Sequence, residues 1–458
     1  MNARLYSLRQ IIPLAWPVFI GQLAVLAYST IDTLLVARHS ALDLAALAVG
    51  SAVYTSVFVG LMGVVLAISP MAGQLFGAKR MAEAGDSLHQ AAWLALSLAV
   101  IGELVLWFPQ PFLAISHATP EIAEKVSAYL RTLGVALPAA LLFTAYRGFN
   151  TAVSRPKAVM ALQIGGLLLK FPASALLIGG FSLGPVTVPA LGAVGCAVAT
   201  AIVMWSQLLL AMAVLRRDAF YRPFGFATGG LHRPRRNALW RLLKLGVPMG
   251  ASVLIEVTGF TFMAIFIARI GSTAVAGHQL AANLVAMMFM LPLALANAGS
   301  TLVAQALGAR DLTAARRLGW HGLELAVGIA FVLGALMFTF REQVLGLYTR
   351  DAAIIAAALP LLGWVWVFHV ADAGQTVSAF VLRAHHIATA PMVIYAFAIW
   401  GLGLGGGYWL AFGEHDVALP AYMQGAMGFW SAASAGLVAA ALGLSTLLAW
   451  VHRTELRN

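Results

Sequence analysis

The chain has 458 residues, 61% of them hydrophobic and only 10% charged, with a mean hydropathy of +0.88. A soluble domain carries roughly 25% charged residues, so this composition excludes a soluble globular protein. The formal net charge is +11, but the basic residues lie in loops between apolar runs, the pattern of membrane topology rather than of a nucleic-acid partner.

Apolar runs of the length that crosses ~30 Å of hydrocarbon as a helix recur along the whole chain. They lack the alternation of membrane-barrel strands. Taken in order, they predict spans at 10–37, 45–72, 88–110, 125–147, 158–181, 188–215, 240–268, 275–305, 318–340, 353–382, 387–412 and 425–451. The first follows Arg4 and Arg9 and is too long for the apolar core of a signal peptide. Cys196, the single cysteine, sits in an apolar run and excludes an internal disulfide. The sequence has no GxxxxGK[ST], HExxH or CxxC pattern and no DDxxD or DxxxD acid cluster. An ATP-driven pump and an intramembrane transferase lose their required motifs, so the expectation is a non-enzyme without a resident cofactor.

With both termini on the cytoplasmic side, 21 of the 28 Lys and Arg residues fall inside and 6 outside, and Lys170 lies within a span. That asymmetry predicts a multi-pass protein of a bacterial inner membrane with cytoplasmic termini. The most polar segment, 216–244, holds eight basic residues and divides the chain in half. The expected domains are 1–215, a six-helix lobe; 216–239, a cytoplasmic linker; and 240–458, a second six-helix lobe. The halves repeat at an offset of 231: Pro17 with Pro248, Thr30 with Thr261, Arg38 with Arg269, Gln74 with Gln305, Gly77 with Gly308 and Lys79 with Arg310. Six spans per half give both halves one orientation. The expected fold is all-α and integral to the membrane, with twelve transmembrane helices in two lobes related by a pseudo-two-fold along the membrane normal.

Three acids fall inside spans: Asp32, Glu256 and Asp372. Charge in the bilayer interior is costly, so such residues are functional candidates. At 1.5 Å per residue, Glu256 lies roughly 18 Å past Lys244, and Asp372 roughly 17 Å before Arg383. Two carboxylates at one depth either share a proton or hold a hard cation such as Na⁺. Lys170 is near mid-depth in the first half; a buried lysine either meets an acid or loses its proton. Asp32 is the acid within reach, and pairing would neutralise it. Gln279, Asn283, Met287, Phe289 and Phe368 are the expected lining of a substrate cleft, since methionine and aromatic surfaces suit varied apolar cations. Acidic midplane charge favours cationic cargo. A flippase for lipid-linked oligosaccharides, the alternative, calls for a cationic cleft instead.

Several segments together resemble the multidrug and toxic compound extrusion (MATE) family, specifically its NorM-like branch. They are Pro17 with Asp32-Thr-Leu-Leu-Val-Ala-Arg38, Pro70-Met-Ala-Gly-Gln-Leu-Phe-Gly-Ala-Lys79, Gly192-Ala-Val-Gly-Cys-Ala-Val-Ala-Thr200, Met287-Met-Phe-Met-Leu-Pro292, and Asp372 followed by Leu382-Arg383. The segments are specific as an ensemble, and the resemblance implies twelve helices in two six-helix lobes and export of cationic amphiphilic drugs in exchange for Na⁺ or H⁺; the expected state is a monomer. It also implies that Asp32, Glu256 and Asp372 are the functional carboxylates. Two positions depart from the family pattern. Lys170 stands where relatives carry an uncharged polar residue, usually Asn, and Phe368 stands where a Tyr is expected.

Overall fold

The computed structural model describes residues 3–116, 119–183, 186–226, 230–414 and 419–455. Among these residues, twelve helices are long and apolar enough to cross a membrane. They are α1 (Ala3–His39), α2 (Ala41–Gly77), α3 (Met81–Trp107), α4 (Pro120–Ala152), α5 (Pro156–Gly179) and α6 (Ala193–Arg217), then α7 (Arg236–Ala268), α8 (Ser272–Gly308), α9 (Leu312–Thr339), α10 (Leu361–Ala384), α11 (Thr389–Phe412) and α12 (Gly425–Thr454). Each matches one expected span, with ends displaced where local chemistry decides. α2 breaks between Val65 and Ile68, because the ring of Pro70 obstructs the carbonyl of Leu66, four residues back. The tenth span starts at Leu361 instead of 353. Before it, Asp351 caps the short helix Ala352–Ala358 by accepting from the amides of Ala353 and Ile354, and Pro360 follows. A two-stranded hairpin, Phe181–Leu183 with Val186–Val188, joins α5 to α6. The sequence reading placed no strands there.

The repeat is visible in backbone detail. The only non-glycine residues with positive φ among those described are Lys79, Ser154, Arg310 and His386. Lys79 and Arg310 are repeat mates, and Ser154 and His386 match with a one-residue slip. Each follows a helix end in the left-handed conformation, and each end is closed by the same pair of backbone bonds. After α2 these are Arg80 N to Leu75 O and Lys79 N to Phe76 O; after α8, Asp311 N to Ala306 O and Arg310 N to Leu307 O. The same two bonds close α4 through Arg155 and Ser154, and α10 through Ile387 and His386. This double closure satisfies carbonyls that a helix end would otherwise leave open. The short helices Gln110–Ser116 and Arg341–Tyr348 also start one repeat apart.

The chain forms two compact units, one of Ile20–Gly250 and the other of Met1–Phe19 with Ala251–Asn458. These do not coincide with a division at the polar segment 216–239: residues 1–19 and the first half of α7 have changed sides. Packing explains both exchanges. Ile11 and Ala15 are buried in one core with Leu295, Val303, Leu323 and Leu444, and Ser7 bonds His321 of α9 at 2.8 Å. In the other unit, the first half of α7 lies against α2 backbone to backbone. A Cβ on Gly63 would come within 2.6 Å of the Cα of Gly250, and a Cβ on Gly246 within 2.4 Å of the Val64 carbonyl oxygen. Small residues allow this approach between membrane helices.

The left-handed caps yield a stability test. Lys79→Gly removes the Cβ penalty of this conformation, about 1 kcal/mol, and should raise the apparent Tm in detergent. Lys79→Val puts a β-branched residue where it is least tolerated and should lower it. A Tm that moves the same way in both variants contradicts the cap reading.

Candidate functional site

In the unit of residues 251–458 with 1–19, α7 carries Glu256 and α10 carries Asp372. The carboxamide of Gln375 stands between them. Its Nε2 donates to Asp372 Oδ1 at 2.8 Å and to Glu256 Oε1 at 3.2 Å. Gln375 follows Asp372 by three residues, so both project from one face of α10. The amide is oriented from its other end, where the Tyr395 hydroxyl on α11 donates to Gln375 Oε1. Thr376 Oγ1 lies 3.1 Å from the amide nitrogen. Asp372, Gln375, Thr376 and Tyr395 are all buried. Arg383, buried one helix segment further along α10 with its guanidinium 4.5 Å over the Phe380 ring, acts electrostatically on Glu256.

Glu256 also faces a cavity of about 30 Å³, room for roughly two water-sized occupants. Gly259, Phe260, Met263, Phe368, Ile399, Gly403 and Leu437 are among its walls. One wall comes from the glycine-rich stretch of α11, which is wound as a wide π-type helix over Ala396–Gly405, a geometry common at functional sites. Within the run Gly401–Gly407 the packing is uneven: a Cβ on Gly407 would come within 2.6 Å of the Phe429 ring, whereas one on Gly401 would meet open space. A Cβ on Gly436 of α12 would approach the Ala398 carbonyl oxygen to 2.3 Å.

The expected cleft residues separate into two groups. Phe368 is buried in the core, edge-on to Phe260 at 5.4 Å and to Trp430 at 5.5 Å. It lines the small cavity beside Glu256 rather than the exposed face of α8, because the position one turn before Asp372 faces α7 and α12. Gln279, Asn283 and Met287 form an exposed stripe on α8 at four-residue spacing, and Phe289, two residues past Met287, is half-buried and lies off that face. Tyr348 joins the stripe by donating to Asn283 Oδ1 at 3.1 Å and contacting Met287 Sδ at 3.4 Å.

In the unit of residues 20–250, Asp32 has both oxygens engaged. Lys170 Nζ lies 2.9 Å from Oδ2, and the Ser174 hydroxyl donates to Oδ1 at 3.0 Å. Lys170 is itself fully held, donating also to the Cys196 carbonyl at 3.0 Å and to Thr200 Oγ1 at 2.7 Å. Beside it, Tyr28 donates to the Gln163 carbonyl at 2.8 Å and accepts from Gln207 at 2.9 Å. Among the described residues, no group of three or more His, Cys, Asp or Glu side chains could hold a metal ion.

Gln375 and Tyr395 were missing from the sequence reading. Gln375 carried a signal, a polar residue one turn from a mid-span acid. Tyr395 carried none, since nothing in sequence ties α11 to that amide. Ser174, one turn after Lys170, was findable in the same way as Gln375.

The Asp32–Lys170 pair generates a double-mutant test. Lys170→Met alone leaves a buried carboxylate without its counter-charge and should destabilise by about 3–5 kcal/mol, read as a lower apparent Tm. Adding Asp32→Asn removes the stranded charge and should recover most of that loss. Additive losses would show that the two residues do not act as a pair.

The family model described as MatE matches residues 17–176 and 248–409. The probable multidrug resistance protein NorM of Aromatoleum aromaticum is 40% identical over 448 residues, 97% of this chain and 93% of that protein. Multidrug resistance protein NorM of Vibrio cholerae is 34% identical, over 97% and 95% of the two chains. Multidrug resistance protein PmpM of Pseudomonas aeruginosa is 33% identical, over 99% and 93%. The crystal structure of a eukaryotic MATE transporter superposes with a TM-score of 0.87 at 16% identity, covering 98% of this chain and 96% of that one. An outward-facing MATE family transporter superposes with a TM-score of 0.86 at 20% identity, covering 99% and 97%; at such identity the likeness speaks for the fold. Two repeated halves matched by one family model, and near-full-length identity of this size, place the chain in the MatE family as a NorM-like MATE transporter.

Proposed function

We propose that this transporter exports cationic amphiphilic compounds from the bacterial cytoplasm, its termini facing inward, in exchange for a monovalent cation taken up at Glu256 and Asp372. The observation that carries the reading is the contrast between the two buried acid sites. Asp32 has both oxygens committed and its charge cancelled by Lys170. Glu256 and Asp372 share one neutral amide donor, and among the described residues the buried cation acting on Glu256 is Arg383. With both acids ionised the group carries one excess negative charge, which one Na⁺ or one H⁺ neutralises. Cation binding favours one arrangement of the transporter and cargo the other; coupling requires each ligand to prefer a different state. The exposed stripe of Gln279, Asn283, Met287 and Tyr348 offers polar and polarisable contacts for the cargo. The multidrug resistance names of the relatives favour drug cargo over lipid-linked sugars.

The test is gradient-driven movement of ethidium, a fluorescent organic cation, in proteoliposomes. A Na⁺ gradient or a pH gradient should drive it in the wild type, and Asp372→Asn should abolish it, while Asp32→Asn with Lys170→Met should retain it. Undiminished transport by Asp372→Asn would falsify the proposed coupling site.

A further inference from the structure

The carboxylate pair lies part-way along α7 and α10, and the helix ends nearest Asp372 on one side are the starts of α8, α10 and α12. Between those starts and Asp372 is a layer of buried polar groups that the site does not use. His278 is the seventh residue of α8, His369 the ninth of α10, and Trp430 the sixth of α12. They are 1%, 0% and 0% exposed. The His278 ring lies 5.8 Å from Trp430, and Trp430 lies 5.5 Å from Phe368, the neighbour of His369. The His278 Nδ1, both His369 ring nitrogens, the Trp430 Nε1 and the Ser434 hydroxyl have no hydrogen-bond partner among the described residues.

Five such atoms in one layer of one lobe contradict ordinary core packing. A buried polar group without a partner costs about 1–3 kcal/mol, and leucine or phenylalanine would fill the same volume without that cost. Groups of this kind in a native core are normally served by ordered water. His369 is placed to do more than bind water. It precedes Asp372 by three residues, on adjoining parts of one helix face with about 4.5 Å of axial rise between the two positions, near enough for a relay through water.

We infer that His278 and His369 form a proton route into the site, and that H⁺ is therefore the coupling ion. This rests on the antiport reading above and deepens it. A proton entering from the helix-start side is passed along water at the His278 level to one ring nitrogen of His369, each water taking up one proton as it gives one up. The imidazolium then gives up the proton on its other nitrogen, through water, to the Asp372 carboxylate, and the ring returns to neutral in its other tautomer. No net charge stays on the ring. Among the described residues, the remaining ionisable groups of this unit's interior are the half-buried Glu256 on α7 and the buried Arg383 on α10, Tyr395 on α11 and His452 on α12. Arg383 lies beyond Gln375 along α10 and Tyr395 bonds Gln375 from α11, so both belong to the site, and His452 is in the last turn of its helix. The carboxamide arrangement agrees with a proton, because Gln375 presents N–H donors, not oxygen ligands, to both acids.

The test compares two assays on the same proteoliposomes: ethidium movement driven by an imposed pH gradient, and ethidium exchange without any gradient. Exchange carries cargo in both directions and needs no proton to use the route, so it also reports correct folding. His369→Leu removes an unpartnered polar group and should fold; His369→Gln keeps a polar side chain that holds water but cannot relay a proton. Both should slow pH-driven movement about tenfold or more and leave exchange unchanged. Wild-type pH-driven rates in either variant overturn the route, as does an equal loss in both assays, which marks a packing role. If wild type responds to Na⁺ alone and Asp372→Asn abolishes that response, the antiport site stands and the proton route falls. If wild type moves no ethidium under either gradient, both fall.

Discussion

The Gln375 carboxamide is held at one end by the Tyr395 hydroxyl, so its other end must present N–H groups to whatever lies beyond. Beyond it lie two carboxylates, one from α7 and one from α10. A neutral donor of this kind is a compromise. It satisfies one oxygen of each acid well enough for burial, and it leaves the charge uncancelled. A lysine in its place would have neutralised the group permanently, as Lys170 does for Asp32. The remainder of the unit follows from keeping that partial balance: the cavity beside Glu256, the wide winding of α11 that forms one of its walls, and the deep burial of α10, the most enclosed of the twelve spans.

The two units therefore treat intramembrane charge in opposite ways. In residues 20–250, Asp32, Lys170, Ser174, Thr200 and the Cys196 carbonyl close into a network in which each acid oxygen has a partner. Such a network is rigid and specific, and a poor receiver of further cations. In the other unit, the acids keep capacity. Sequence repeats of common ancestry need not preserve chemistry: the backbone caps at Lys79 and Arg310 are duplicates, whereas the positions matching Asp32 and Glu256 hold Met263 and Val25.

The spans, the repeat and the three mid-span acids were legible because each leaves a local trace: run length, a constant offset, or a charge where none belongs. Ion pairing of Lys170 was legible as an alternative, since depth puts one acid within reach of the lysine stem, but depth alone cannot give direction around a helix. Gln375 was half-legible, one turn from Asp372. Tyr395 and the packing of Phe368 were not, because they depend on which helices touch, and an all-apolar span carries little record of its neighbours. The hairpin at Phe181–Val188 was lost in the same way, six residues hidden between two strong helical signals.

The exchange of residues 1–19 and 236–250 between the units bears on how the chain is made. Synthesis runs from the amino terminus, yet residues 1–19 belong to a core whose other members, among them Leu444, Leu448 and Val451 of α12, leave the ribosome only after the eleven preceding spans. The first helix must enter the bilayer with the face bearing Ile11 and Ala15 against lipid, and hold it there until α12 arrives. Its apolar character makes that wait tolerable. A truncated product ending in the polar segment 216–239 would keep the face open for good, and it would also lack the first half of α7 that the earlier unit uses. The unit of residues 20–250 can close once Gly250 is made, whereas the core around Ile11 and Ala15 stays open until α12 is in place, so partial products are recognisable to quality control by the surface they leave uncovered.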